Sequence, residues 1–154
     1  MSCEGLKISI DPNKICPDCF SNSTVATENG KRFSILKPAH IPVCKAHIDG
    51  CLIKSQQVRK CDFFFEVSTN PKRYFLVELK GVDLDTAVSQ LSSTYDQLNA
   101  TLQAAPEQFT AVVVSSAVPA RADAKFRNAQ EKLRRSKGLK LDRRTKHYEI
   151  TISA

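Results

Sequence analysis

The sequence lacks the features that mark membrane and secreted proteins. It has no long apolar run, so no transmembrane helix is predicted. Its first residues, MSCEGLKISIDPNK, lack the basic region and apolar stretch of a secretory signal. Repeats, low-complexity tracts and domain linkers are also missing. We therefore expect a cytoplasmic protein with no membrane partner, folded as a single domain over residues 1–154 with an irregular segment at 1–30.

A second CxxC pair is also missing, so the cysteines offer only half of a zinc site. The six cysteines are Cys3, Cys16, Cys19, Cys44, Cys51 and Cys61. Cys16 and Cys19 form the CxxC pair, which Cys44 together with His47 or Cys51 could complete. In a reducing compartment we expect thiols rather than disulfides. We favour small core residues for the three later cysteines, and zinc at Cys16 and Cys19 is the less favoured alternative.

The positive charge is concentrated in one segment. The whole chain carries +7, and the segment from Arg121 to Lys146 has eleven basic and three acidic residues, a net charge of +8. Such a concentration attracts a polyanion, most often nucleic acid, although a solvated basic face that aids solubility is an equal alternative. The candidate phosphate contacts are Arg134, Arg135, Lys137, Arg143, Arg144 and Lys146.

Hydrophobic patterning predicts a layered α/β fold with a mixed β-sheet flanked by helices. Strands are predicted at Phe33–Leu36, Ile41–Ile53, Val58–Ser68, Tyr74–Lys80, Phe109–Ser115, Leu139–Leu141 and His147–Ile152. Helices are predicted at Asp83–Ala104, where apolar residues recur at helical spacing, and at Asp123–Ser136. The sequence TNPK at 69–72 is a strong turn signal between two of the strands.

Three charged residues are predicted to meet on the hairpin around that turn. Glu78 and Lys80 are two apart on a strand and share a face. Counting outward from the turn places Asp62 opposite residues 78–80 on the same face. A second turn near 54–57 brings Asp49 approximately beside Asp62. The predicted apolar face of the hairpin comprises Phe63, Phe65, Val67, Phe75, Val77 and Leu79.

This grouping of charges suits metal-dependent phosphodiester chemistry. Converging carboxylates repel one another unless a cation lies between them. Carboxylate oxygens together with water suit Mg²⁺ or Mn²⁺. Such an ion polarises a phosphodiester and activates water, while a nearby lysine stabilises the developing charge.

The pattern Asp62-(x15)-Glu78-Leu79-Lys80, on a hairpin followed by a helix, resembles the PD-(D/E)xK nuclease superfamily, which includes restriction endonucleases and Holliday-junction resolvases. The resemblance covers roughly residues 33–141 and implies a restriction-endonuclease-like fold. It implies that Asp62 and Glu78 are metal ligands, that Lys80 is the catalytic lysine, and that Gln90 supports the site. It also suggests Asp49 as a further acidic ligand.

The expected function is a Mg²⁺-dependent endonuclease, with DNA favoured over RNA as the substrate. The resemblance also implies a homodimer, or a part in a larger defence or mobile-element complex. Cross-strand ion pairs are the structural alternative for Glu78 and Lys80, but the apolar flanks of this strand argue against solvated charges. The functional alternative is a non-catalytic module of the same fold that binds nucleic acid or another protein.

Overall fold

The computed structural model describes residue 3 and residues 19–49, 61–79, 83–116 and 122–153. Cys16, Cys51, Lys80 and the turn expected at 54–57 lie outside the described residues. The strands are β1 (Phe20–Ser21), β2 (Val25–Glu28), β3 (Lys31–Leu36), β4 (Val43–His47), β5 (Phe63–Val67), β6 (Arg73–Glu78), β7 (Phe109–Ser115), β8 (Lys140–Thr145) and β9 (His147–Thr151). The helices are α1 (Leu84–Leu102) and α2 (Ala122–Lys137), with a 3₁₀ turn at Pro106–Gln108.

Six strands form a mixed sheet in the order β1-β4-β5-β6-β7-β8. The first four of these pair antiparallel, while β6, β7 and β8 are parallel. Strand β7 pairs parallel to β6, and helix α1 lies between these two strands in the sequence. The α/β class with a mixed sheet flanked by helices is therefore confirmed.

A second sheet of three strands, in the order β2-β3-β9, was not predicted. Strands β2 and β3 form an antiparallel hairpin, and β9 pairs parallel to β3. Residues 1–30 were expected to be irregular, but Phe20–Ser21 and Val25–Glu28 are strands. The backbone groups of β1 bind to β4, and those of β2 bind to β3. Strand β4 is distant from β1 in the sequence, and β2 has only a weak hydrophobic pattern.

The six-stranded sheet is buried on both faces, which gives the protein two cores. One face packs under α1 and α2 through residues such as Leu91, Leu98 and Leu133; we call this the helix-side core. The other face packs against the three-stranded sheet and forms the sheet-side core. The apolar face predicted for the hairpin is confirmed, because the sheet-side core contains Phe63, Phe65, Val67, Phe75, Val77 and Leu79.

Helix α1 begins where the sequence indicates, because Asp83 caps it. The Asp83 carboxylate accepts hydrogen bonds from the backbone N–H of Asp85 and the hydroxyl of Thr86. The bond from Thr86 is the main reason that the pKa of Asp83 is lowered. At the other end, Gln103 adopts a left-handed conformation with φ of 51° and ends the helix. Among the described helices, none has the length and apolar character needed to cross a membrane.

Element boundaries differ from the predictions mainly at strand ends. The strand expected over Ile41–Ile53 comprises Val43–His47 in its described part, and the one expected over Val58–Ser68 comprises Phe63–Val67. The strand expected at Leu139–Leu141 extends through Thr145. Apolar periodicity ends where the side chains become polar, whereas the backbone ladder of β8 with β7 continues.

The expectation of thiols is wrong for three of the described cysteines, Cys3, Cys19 and Cys44. Cys44 forms a disulfide with Cys3, whose Cα lies 5.6 Å away, and Cys19 is also disulfide-bonded. The backbone N–H of Cys3 donates to Glu66, the residue opposite Cys44 on β5, and this bond holds Cys3 beside β4. Cys44 and Cys61 are buried in the core as expected, and Cys61 is a free thiol.

A single residue joins the two sheets at one end of the domain. Lys146, between β8 and β9, has a left-handed backbone with φ of 63°. Its N–H donates to the carbonyl of Ser115 at the end of β7, and its carbonyl accepts from the N–H of Arg32 on β3. The chain therefore passes from one sheet to the other without leaving these backbone groups unsatisfied.

We expect Phe33→Ala to lower the free energy of unfolding by about 3–5 kcal/mol, because it empties the space of a fully buried ring between the sheets. Phe33 contacts the rings of Phe65, Phe75 and Tyr148 at centroid distances of 5.2, 5.9 and 6.1 Å. The matched control is Leu36→Ala on the same strand, where the side chain is 56% exposed. Denaturant unfolding that gives equal losses for the two variants would contradict this account of the sheet-side core.

Candidate functional site

Several strand termini meet at one end of the six-stranded sheet. The carboxyl ends of β4, β6, β7 and β8 lie there, together with the amino end of the antiparallel β5. Lys146 attaches the amino ends of β3 and β9 to the same edge. We call this edge the site end, because it contains Asp62 and Glu78, two members of the predicted catalytic group.

Asp62 and Glu78 lie close together at the site end. The β5–β6 register ends at the pair Phe63 and Val77, and Asp62 and Glu78 each lie one residue beyond that pair. The charges of both carboxylates act on the nearby thiol of Cys61. The two residues are 2% and 0% exposed.

The position of Asp62 is fixed by hydrogen bonds to both neighbouring strands. Its Oδ2 accepts from the backbone N–H of Leu79 at 2.9 Å. Its own N–H donates to the carbonyl of Val77 at 3.2 Å, and its carbonyl accepts from Ile48 at 2.9 Å. These bonds hold the carboxylate against the end of β6 and restrict its rotamer.

Helix α1 reaches this group through Thr94, which the sequence analysis missed. The Thr94 hydroxyl accepts from the N–H of Cys61 at 2.8 Å and donates to the carbonyl of Gln90 at 2.8 Å. Gln90, four residues before Thr94, therefore lies on the helix face that contacts the site end, and its side chain is half-buried. The sequence signal for Thr94 is that it is a polar residue within the apolar stripe of α1.

The pKa of the Cys61 thiol reflects the burial and the charges around it. It is fully buried, and that burial is the main reason that its pKa is raised well above the ordinary value. The negative charges of Glu78 and Asp62 raise the pKa further, because both disfavour a thiolate beside them. The site is thus a poorly solvated environment in which two carboxylates act on one sulfur.

Asp49 is displaced by one residue from the predicted position. The β4–β5 register pairs His47 with Phe63, so Ile48 is opposite Asp62 and Asp49 lies one step beyond. The described residues contain no group of three or more His, Cys, Asp or Glu placed to hold a metal ion. Of the predicted ligands, the structure brings Asp62 and Glu78 together, and Lys80 lies outside the described residues.

Another buried carboxylate on the same face of β5 has a structural environment. Glu66 is 1% exposed. Its Oε2 accepts from the N–H of Cys3 at 2.5 Å, and its Oε1 lies 3.6 Å from the ammonium of Lys72. Glu66 is therefore as buried as Glu78 and faces the same side of the sheet.

Half of the predicted phosphate contacts lie at the site end. Arg143 is in register with Val113, which is in register with Glu78, so Arg143 and Glu78 are two strand spacings, or about 10 Å, apart. Arg143 stacks on the ring of Phe126 at 4.8 Å. Arg144 follows it and stacks on Tyr148 at 4.6 Å, and Lys146 occupies the corner between the sheets.

The other half lie at the opposite end of α2. This helix starts at the site end and runs for about 20 Å before its last turn, which contains Arg134, Arg135 and Lys137. All three have acidic partners: the two arginines bind Glu131, and Lys137 binds Asp96. A groove of about 570 Å³ between this end of α2 and β8 is lined by Arg134, Lys140 and Asp142, among others.

Neither models of known protein families, nor curated proteins, nor solved structures match this chain.

We expect the buried thiol to make the protein less stable in alkali. Because the folded pKa of Cys61 is raised, the native state retains a proton that the unfolded chain releases above the ordinary value of 9.0. The contribution of the Cys61 thiol to the free energy of unfolding is therefore fully present below that pH. It decreases as the pH rises, by up to about 1.4 kcal/mol per pH unit. The measurement is the free energy of unfolding of the wild type minus that of Cys61→Ala, from pH 8 to pH 10.5. A difference independent of pH would contradict the assigned burial.

Proposed function

We propose that the protein is a metal-dependent nuclease in which Asp62 and Glu78 bind a divalent cation. The observation that carries this proposal is that two almost fully buried carboxylates lie one residue beyond the last pair of adjacent strands, where both act on the thiol of Cys61. Two neighbouring anions in a poorly solvated environment repel one another, and a cation between them removes that repulsion.

The donor chemistry fits Mg²⁺ or Mn²⁺. Both cations favour carboxylate oxygens and keep several water ligands, so two protein carboxylates with water and a phosphate oxygen make a complete set. When bound, such an ion supplies charge for a phosphodiester oxygen and lowers the pKa of a bound water. A zinc site at Cys19 would require its reduction, because this residue is disulfide-bonded.

The protein's own residues position the reaction. The Leu79 N–H orients the Asp62 carboxylate, and Thr94 fixes the adjoining Cys61 backbone to α1. Lys80 is two residues beyond Glu78, and in a continued strand it shares the Glu78 face, where its ammonium would stabilise charge on the attacked phosphate. Gln90 is the candidate to contact the attacking water from the helix.

The proposed substrate is nucleic acid, with DNA favoured. A cytoplasmic location would require the disulfides at Cys44 and Cys19 to persist in a reducing environment. Support for the substrate comes from Arg143, Arg144 and Lys146, which bring positive charge to the site end without acidic partners at ion-pair distance in the described segments. Dimerisation, or a place in a larger defence or mobile-element complex, would supply target choice for such a small domain.

The test of the proposed enzyme is cleavage of single-stranded, duplex and branched DNA with Mg²⁺ or Mn²⁺. We expect Glu78→Gln and Lys80→Ala to lower the cleavage rate at least about 100-fold, because each removes charge that is needed in the transition state. The matched control is Glu66→Gln, an equally buried carboxylate on the same sheet face, which should retain cleavage in the folded protein.

Cleavage that persists in Glu78→Gln and Lys80→Ala would refute the assignment of these residues. Metal-independent binding of DNA, without any cutting by the wild type, would instead support the alternative of a non-catalytic binding module.

The two halves of the basic region should differ in their contribution to DNA binding. We expect the double variant Arg143→Gln/Arg144→Gln to bind single-stranded DNA about three- to tenfold more weakly, with a shallower salt dependence, because it removes charge at the site end. The double variant Arg134→Gln/Arg135→Gln removes the same charge from residues already paired with Glu131, and its affinity should change less than about twofold. Fluorescence anisotropy at several salt concentrations makes the comparison, and equal losses would show that the site end has no special role.

A further inference from the structure

The site end also contains a lysine whose side chain is mostly buried. Lys31, the first residue of β3, is 7% exposed. Its ammonium donates a hydrogen bond to the hydroxyl of Ser116 at 3.3 Å. Ser116 directly follows β7 and is exposed, so the lysine stem lies in the protein while its charged group meets the surface at Ser116.

In the described segments no carboxylate lies within ion-pair distance of this ammonium, although far more exposed lysines have such partners. Lys72 and Lys125 are paired with acids while their side chains are 46% and 54% exposed. Glu28 is opposite Lys31 in the β2–β3 hairpin. An ammonium that reaches the surface on a mostly buried stem is held in place, so it can bind an anion from outside the chain at little cost in side-chain entropy.

The surroundings of Lys31 match a phosphate group. The pairing of Arg32 with His147, continued by one step, places Lys146 beside Lys31. This corner therefore combines two lysines with a hydroxyl that can both donate and accept. Two compact cations placed side by side repel each other, and a bound phosphate oxygen relieves that repulsion.

We propose that Lys31 and Ser116 form a phosphate subsite for a nucleic-acid strand, next to the bond that is cleaved. This proposal rests on the proposed nuclease function for the placement of the scissile phosphate at Asp62 and Glu78. Ser116 is three residues beyond Val113, the partner of Glu78, so the subsite and Glu78 are about 11 Å apart. That separation is well above the axial rise of about 3.4 Å for one nucleotide, so the subsite holds a phosphate that is not itself attacked.

The subsite is tested by binding rather than by cleavage. The probe is a fluorescein-labelled single-stranded DNA octamer, measured by anisotropy in the presence of a chelator. We expect Lys31→Met to weaken binding about five- to tenfold and to reduce the slope of log affinity against log salt by about 0.7, as expected for one lost phosphate contact. The matched control, Arg32→Met, alters the exposed neighbour on the same strand and should stay within about twofold of the wild type.

A second variant tests the same site without changing the core. Ser116→Asp places a carboxylate beside the Lys31 ammonium, so it should weaken DNA binding at least as much as Lys31→Met does. Because Ser116 is exposed, this variant decides the question if Lys31→Met does not fold. Wild-type affinity and salt slope in Ser116→Asp would overturn the subsite.

The outcomes separate the subsite from the enzyme. Weakened binding in both variants of a protein that never cuts DNA would support the subsite and count against the nuclease. Normal binding in both variants of a protein that does cut would refute the subsite alone. Displacement of the octamer by inorganic phosphate at constant ionic strength would show that the corner takes the free ion, which would overturn its assignment to a nucleic-acid strand.

Discussion

The burial of β5 and β6 on both faces is the constraint on which the rest of the structure depends. Every side chain from Phe63 to Val67 is buried, and successive side chains are directed alternately into the helix-side and the sheet-side core. A strand with two buried faces has no solvated side for its charges. Glu66 and Glu78 lie on strands with two buried faces and Asp62 directly precedes β5, so each of these buried carboxylates must be compensated locally. Glu66 has Cys3 and Lys72 for this purpose, and Asp62 accepts a hydrogen bond from the N–H of Leu79.

The hairpin and its faces could be predicted because the signals are local. The turn sequence at 69–72 sets the register, and the period-two pattern then assigns each residue to a face. The same holds for α1, where the cap at Asp83 and the apolar stripe act within a few residues of each other. The predicted meeting of Asp62 and Glu78 follows from these local rules, and each residue lies one step beyond the last pair of β5 and β6.

The remaining features depend on contacts between distant residues. Asp49 is displaced by one residue because its predicted position relied on an assumed turn, and a change of one residue in a register reverses the face. The three-stranded sheet requires β9 to find β3, and the disulfide requires Cys3 to find Cys44, which is 41 residues away. Nothing in the local pattern specifies either pairing. Lys31 was one lysine among many, and only its placement beside Ser116 distinguishes it.

The parallel pairing of β3 with β9 also determines how the chain folds. Arg32 and His147 are partners across more than 100 intervening residues, so this closure carries a large loop entropy. Topologies with such separations fold slowly. During synthesis the hairpin β2–β3 emerges early, but one edge of β3 has no partner until β9 has left the ribosome. Until then, Phe33 and its neighbours in the sheet-side core lack the cover of Tyr148 and Ile150. This intermediate has an open strand edge beside apolar surface, so it is the stage of folding at which the chain is most prone to associate with other chains.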